Sequence, residues 1–345
     1  MKDLKYLAAY INPALAIIGL IIGGWLTWGA VIFSFVIIPI FDQIGPVDTS
    51  NVNDETRETL LGKRIFDWLL YLNLPVVFFI VGLLAFTLNT TSLSSHELIG
   101  NLLSVGIVIG SCGINVAHEL GHRKSAYEQR LGQILLIPAL YMHFFIEHNR
   151  GHHKYVATDE DPASARKGEW LFSFWIKSLI GGYFSAWRLE KIRLQKQNES
   201  ILSAKNQMIQ FTIVQFAYLL TLSLFISWQH VVIVAGSGLI GILLLETINY
   251  LEHYGLRRKR LENGRYERVR PVHSWNANYQ IGRIVLYELT RHSDHHFIAS
   301  KKYQVLDHHE EAPELPFGYP MMILIALVPP LWFKLMDKRL PASTS

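Results

Sequence analysis

A single cysteine, Cys112, stands in 345 residues, so the chain can build no internal disulfide and no thiolate cluster for zinc or iron–sulfur. Any metal must take nitrogen or oxygen donors. There is no C-x-x-C pair, and no glycine-rich dinucleotide-binding unit is recognised, so electrons for any redox chemistry must come from another protein. Charge is scarce too: 17% of residues are charged against 50% hydrophobic, and the mean hydropathy is +0.21. That balance excludes an ordinary soluble domain. The net charge of +4 and a pI near 9.0 do not imply nucleic acid, because the basic residues are segregated along the chain. Internal repeats, low-complexity tracts and separate domains are also missing, which predicts one integral-membrane domain over 1–345.

What the chain has instead is long apolar runs. Those near 6–22, 24–41, 65–88, 97–117, 207–228 and 231–250 each approach the ~20 residues that cross a bilayer core, predicting an all-α membrane protein with six transmembrane helices. Pro13, Pro39 and Pro75 fall inside these runs and are tolerated where bundle neighbours satisfy the freed carbonyls. The N-terminal run, behind Lys2 and Lys5, has no clear small-residue cleavage site and is expected to be a retained first helix. With six crossings, the segments 23–25, 89–96 and 229–230 share one side and contain no Lys or Arg. The positive-inside rule then places both termini and the segments 118–206 and 251–345 in the cytoplasm. Shorter apolar pieces at 132–146, 170–183 and 317–333 are expected to be interfacial or re-entrant.

Nine of the fifteen histidines gather beside these runs: His118 and His122; His148, His152 and His153; His253; and His292, His295 and His296. The i, i+4 pair of His118-Glu-Leu-Gly-His122 lies on one helix face and can grip one ion. By itself it also fits the zinc-protease pattern H-E-x-x-H, with Glu119 as base. The adjacent pairs His152/His153 and His295/His296 diverge by ~100° on a helix and can address different ions. A catalytic zinc takes about three protein ligands, so nine imidazoles exceed one zinc, whereas two irons with four or five nitrogens each leave positions for oxygen. If one centre collects them, His122 and His148 must converge, so the stretch from Leu131 to Ile146 dips in and returns. Glu119, Glu147, Glu252 and Asp294 adjoin ligands and are candidates for orienting their N–H groups. His96, His143, His230, His273, His308 and His309 are assigned to packing or the interface, with His143 and His273 able to face ligands or substrate.

The stretches HELGHRK (118–124), EHNRGHHKYVATDEDPASAR (147–166), NYLEHYGL (249–256), LTRHSDHHF (289–297) and YQVLDHHEEAPELPFGYP (303–320) make the chain closely similar to the integral-membrane alkane 1-monooxygenases. These are non-haem di-iron enzymes related to the membrane fatty-acid desaturases and hydroxylases. NYLEHYGL separates the resemblance from desaturases and sterol or carotenoid hydroxylases. The resemblance implies that the nine histidines carry two irons and that no ligand position departs from the family pattern. It implies hydroxylation of a terminal methyl group by O2, with rubredoxin and its NAD(P)H-dependent reductase supplying electrons, at a bacterial inner membrane.

A substrate without a polar handle needs a shaped apolar cavity. Trp25, Trp28, Phe33, Phe35, Phe78 and Phe79 are candidate lining residues, with the small Ser34 between two phenylalanines permitting a deeper channel. Arg257, Arg258, Lys259, Arg260, Lys301 and Lys302 are candidates for docking an acidic electron donor, although topology explains basic residues there as well. The alternatives are a xylene-type methyl hydroxylase or fatty-acyl desaturase, then a membrane zinc protease or a metal transporter. A transporter would place its ligands near the bilayer midplane rather than at helix ends.

Overall fold

The computed structural model describes residues 2–341, so Met1 and residues 342–345, where the termini were expected to be cytoplasmic, lie outside the described residues. Among the described residues, strand pairing is confined to isolated bridges such as Val47 with Tyr279 and Asn276 with Glu314. In chain order the main helices are α1 (Asp3–Ile22), α2 (Gly24–Ile44), α3 (Asp54–Gly62), α4 (Ile65–Thr90), α5 (Ser95–Gly121), α6 (Ala126–Leu135), α7 (144–155), α8 (Leu171–Lys196), α9 (Gln207–Ser223), α10 (Trp228–His253), α11 (Gln280–Val285), α12 (His292–Phe297), α13 (Tyr319–Ala326) and α14 (Pro329–Met336).

Five of these, α1, α2, α4, α5 and α10, are long and apolar enough to cross a membrane. The sixth expected span, 207–228, corresponds to α9, whose 17 residues reach ~26 Å, short of a ~30 Å hydrocarbon core. The prolines sit where helix type changes. Pro13 follows a 3-10 stretch, Lys2–Tyr10; Pro39 follows a π turn, Phe33–Ile37; and Pro75 follows a break at Leu72. There Asn73 Nδ2 and Tyr10 Oη donate to the Leu69 carbonyl at 2.8 and 2.6 Å, which satisfies a backbone group that lipid could not.

The most buried span, α5, packs closely on α10. A Cβ at Gly241 would lie 3.0 Å from the Gly110 nitrogen, and one at Gly106 only 2.5 Å from Ile240, so small residues set this approach. The expectation that the chain has no glycine-rich dinucleotide spacing is wrong, because Gly236-Ser237-Gly238-Leu239-Ile240-Gly241 has the G-x-G-x-x-G spacing of a dinucleotide loop. It lies mid-helix in α10, where two of its glycines serve helix approach rather than phosphate binding.

Three connections bring the histidines to the ends of α5 and α10. After α6 the chain turns at Leu140 (φ 55°) and returns as α7. A Cβ on Gly238 would lie 2.7 Å from the Pro138 carbonyl, so the 132–146 stretch reaches ~22 Å along α10 from His253 before returning. The piece expected at 170–183 continues to Lys196 as α8, with Phe172, Ile176, Ile180 and Phe184 exposed along one stripe and Phe174 and Ser178 buried opposite. The piece at 317–333 splits into α13 and α14, and Trp332 packs on Tyr250 and Tyr254 at the end of α10. Between α11 and α12, Tyr287 and Glu288 both take positive φ. Glu288 is held there by Lys5, Tyr6 and Arg283, which ties the last histidine segment to α1.

Candidate metal centre

The nine clustered imidazoles converge, and they divide into two sets. His118, His122, His148, His153 and His295 present ring nitrogens within 4.8 Å of one another, as do His152, His253, His292 and His296. Adjacent residues separate as the helix angle requires: His152 and His153 go to different sets, and so do His295 and His296. A π turn over His148–His152 widens the helix, so that His148 and His153, five residues apart, meet at 3.0 Å. None of the other six histidines joins either set.

The donor atoms fit ions better than they fit one another. Nε2 of His148 lies 3.0 Å from Nε2 of both His122 and His153, and His153 Nε2 lies 3.1 Å from that of His295. A ring nitrogen offers either one hydrogen or one lone pair and so makes one good hydrogen bond, yet Nε2 of His148 and of His153 each face two neighbours. Metal–imidazole bonds of ~2.1 Å at right angles put neighbouring nitrogens ~3.0 Å apart, which is the spacing found. In the second set, His152 Nε2 and both ring nitrogens of His296 are buried without a hydrogen-bond partner. Burial holds the imidazoles of His122, His148, His153, His292, His295 and His296 well below their usual pKa, the neutral state in which a lone pair is free. His152 departs from the others: burial is the largest single influence and lowers it, but the charge and hydrogen bond of Asp161, joined by the charges of Glu147 and Glu246, together raise it.

Asp161 is the residue that sequence reasoning missed. Its Oδ2 accepts from His152 Nδ1 at 2.9 Å and from Ser164 Oγ at 2.5 Å, while Oδ1 accepts from the Ala163 nitrogen at 3.0 Å. Of the four acids predicted to orient imidazoles, Glu252 alone contacts one of the nine, with Oε2 3.1 Å from His292 Nε2. Glu119 pairs with Arg123 and accepts from the Tyr303 nitrogen. Asp294 binds His309, Lys301 and the Asp307 nitrogen. Glu147 lies beside Gly151, and burial, reinforced by Asp161, pushes its carboxyl up to about 8.

An apolar pocket of about 70 Å³ opens between α2, α5, α10, α11 and α13. Asn115 in its wall is one helical turn before His118, Leu289 is three residues before His292, and Tyr319 donates to Glu252 at 2.7 Å. Of the residues expected to line a substrate channel, Ser34 and Phe35 stand in this pocket's wall, Ser34 also donating to Asn12 Oδ1 at 3.1 Å. Trp25, Trp28, Phe33, Phe78 and Phe79 do not. Trp25 is 77% exposed beside His96, Trp28 donates to the His96 carbonyl, and Phe79 is 57% exposed on the bundle's outer face.

The predicted docking group is also divided. Lys301 pairs with Asp294 and Asp307, Lys302 with Asp67, and Arg258 donates to the carbonyls of Glu267 and Lys154. Arg257 is half-buried, leaving Lys259 and Arg260 exposed.

The sequence model of the family described as fatty acid desaturase matches residues 94–325, the stretch that carries all nine imidazoles. The chain is 39% identical over 317 residues to alkane 1-monooxygenase 1 of Pseudomonas aeruginosa, covering 90% of this chain and 82% of that protein. It is 36% identical over 352 residues to alkane 1-monooxygenase 2 of Alcanivorax borkumensis, covering 99% and 92%. To the xylene/toluene monooxygenase hydroxylase component of Pseudomonas putida it is 28% identical over 349 residues, covering 98% and 89%. A helical chain with paired polyhistidine sets at the ends of apolar helices, matched over most of its length, belongs to the alkane 1-monooxygenases within the fatty acid desaturase family.

Proposed function

We propose that the protein is a di-iron monooxygenase that converts the terminal methyl of an alkane to a primary alcohol. In that reaction one atom of O2 enters the C–H bond, and the other leaves as water with two electrons and two protons. The observation that carries this reading is the division of nine imidazoles, seven buried and two half-buried, into sets of five and four beside an apolar pocket. His118, His122, His148, His153 and His295 would hold one iron; His152, His253, His292 and His296 would hold the other. Bound there, two irons supply the redox chemistry that activates O2. The protein's own contribution is placement. Its pocket walls, among them Phe35, Ile38, Leu245 and Ile248, take an apolar chain out of lipid and keep water from the reacting carbon. Ser34 and Asn12 bind each other rather than open a hydrated hole in that wall. Behind the histidines, Asp161 fixes the tautomer of His152 by accepting from Nδ1, so that Nε2 points into the set.

The topology proposed is six spans, with α9 and the residues after it forming the fifth, in a bacterial inner membrane with both termini and the histidines cytoplasmic. The absence of Lys and Arg from 23–25, 89–96 and 229–230 supports it. Electrons are proposed to come from rubredoxin and its NAD(P)H-dependent reductase, because the chain has no C-x-x-C pair and its G-x-G-x-x-G match lies mid-helix, with the exposed Lys259 and Arg260 as the docking cations. The test is to feed cells expressing this chain, rubredoxin and its reductase a panel of alkanes, alkylbenzenes and fatty acids. Primary alkanols are the expected products. Benzylic alcohols alone would assign the protein to xylene-type hydroxylation, and unsaturated fatty acids to desaturation.

A further inference from the structure

Two carboxylates reach the second histidine set, and they approach from opposite sides of the rings. Asp161 meets His152 at Nδ1, while His152 Nε2 stays unpartnered. Glu252 meets His292 at Nε2, the same atom that lies 3.2 Å from His253 Nε2. Asp161 therefore stands behind the donor atoms and Glu252 stands among them.

Glu252 is also a buried carboxylate without an organic cation. It is 1% exposed, and among the described residues it ion-pairs with His292 and with no lysine or arginine. Its Oε1 has one neutral donor, Tyr319 Oη at 2.7 Å. A charge taken out of water needs a counter-charge, and a single phenol does not supply one. In the tautomer that carries its hydrogen on Nδ1, a neutral His292 turns its Nε2 lone pair to Oε2 and adds repulsion between two acceptors. An ion at the four-histidine set removes both problems. The 3.1 Å separation of Oε2 from His292 Nε2 matches neighbouring donors on one ion, as does the 3.2 Å between the two rings.

The geometry points to Glu252 as the oxygen ligand of the four-histidine site, giving that ion five protein donors and one negative charge while the five-histidine ion stays purely nitrogen-ligated. The two irons are then inequivalent in charge as well as in ligand number. Tyr319 holds Oε1 and, standing in the wall of the apolar pocket, fixes the ligand beside the space where substrate would lie.

This rests on the di-iron reading, and the experiment separates the two. Full-length protein is purified after growth on 57Fe, and iron per chain and Mössbauer doublets are measured for wild type and Glu252→Gln, which keeps size and the Tyr319 contact. Wild type should hold two irons in two doublets of equal area. Glu252→Gln should keep the five-histidine doublet and lose the other, falling to about half the iron. Two irons with wild-type doublets in Glu252→Gln, or equal loss of both, overturns the ligand assignment. A wild type without iron overturns the di-iron reading instead. Should Glu252→Gln not accumulate, Glu252→Asp provides the second arm: one doublet altered supports the assignment, and both unaltered overturns it.

Discussion

Replacing Asp161 by Asn tests how the protein holds an imidazole it cannot let rotate. In the native site Oδ2 accepts from both His152 Nδ1 and Ser164 Oγ, and Oδ1 accepts from the Ala163 nitrogen. An amide offers one acceptor in place of two. If its oxygen takes the Oδ2 position, the NH2 group faces the Ala163 N–H and one buried bond is unmade, costing ~1–3 kcal/mol. Were the amide reversed, both His152 and Ser164 would lose their acceptor, so the first arrangement prevails. The negative charge behind His152 disappears in either case. Losing such a partner typically lowers metal affinity ~10–100-fold, or about 1.4–2.7 kcal/mol. The expected result is selective: weaker iron at the set containing His152 and an unchanged five-histidine set, because Asp161 contacts no ring of the latter. Chelator titration of purified Asp161→Asn, followed by iron-specific spectroscopy of each site, measures it. Equal chelator resistance at both sites, matching wild type, would refute the positioning role.

Ser34→Trp places an indole in the wall of the apolar pocket, so the oxidised-product profile should shift toward shorter alkanes at a stability cost of ~1–3 kcal/mol from overpacking. An unaltered chain-length profile by gas chromatography would remove Ser34 from the substrate path. Six imidazoles have folded-state pKa values depressed by burial, so below about pH 6.5 the unfolded chain binds more protons than the folded one. Their contribution is present above that pH and lost as pH falls, so iron retention and thermal stability should decline together on acidification, and flat curves down to pH ~4 contradict the assignment. Lys259→Glu with Arg260→Glu should slow association with rubredoxin about tenfold at low salt, with the effect vanishing at high salt; no change means the donor docks elsewhere. Lys301→Glu should instead lower stability, since Lys301 is tied to Asp294 and Asp307.

The grouping of the histidines was legible because its signal is local. Spacing of i, i+4 and direct adjacency survives in any helix, and it foretold that His152 and His153 would serve different sets. The spans were legible from apolar length, and α1, α2, α4, α5 and α10 end within a few residues of the expected bounds. Faces were not legible. An apolar run reads the same whether a residue meets lipid or a pocket, which is why Trp25 and Phe79 were included and Ile248 and Leu289 were not. Sequence neighbours of ligands misled for a related reason: on a helix, residue i+1 points away from residue i. Glu119 therefore meets Arg123, while the acid behind His152 comes from a turn nine residues later, inside the run Asp159-Glu160-Asp161 where nothing marks one acid above the others. Lys302 and Asp67 pair across 235 residues, a contact that only the folded chain displays.

The central claim is a pair of ions divided five to four among nine imidazoles. Anomalous scattering at the iron absorption edge from crystals of the full-length protein tests it most directly. Two iron peaks are predicted, one enclosed by His118, His122, His148, His153 and His295 and the other by His152, His253, His292 and His296. A single peak, or a signal only at the zinc edge, would contradict it.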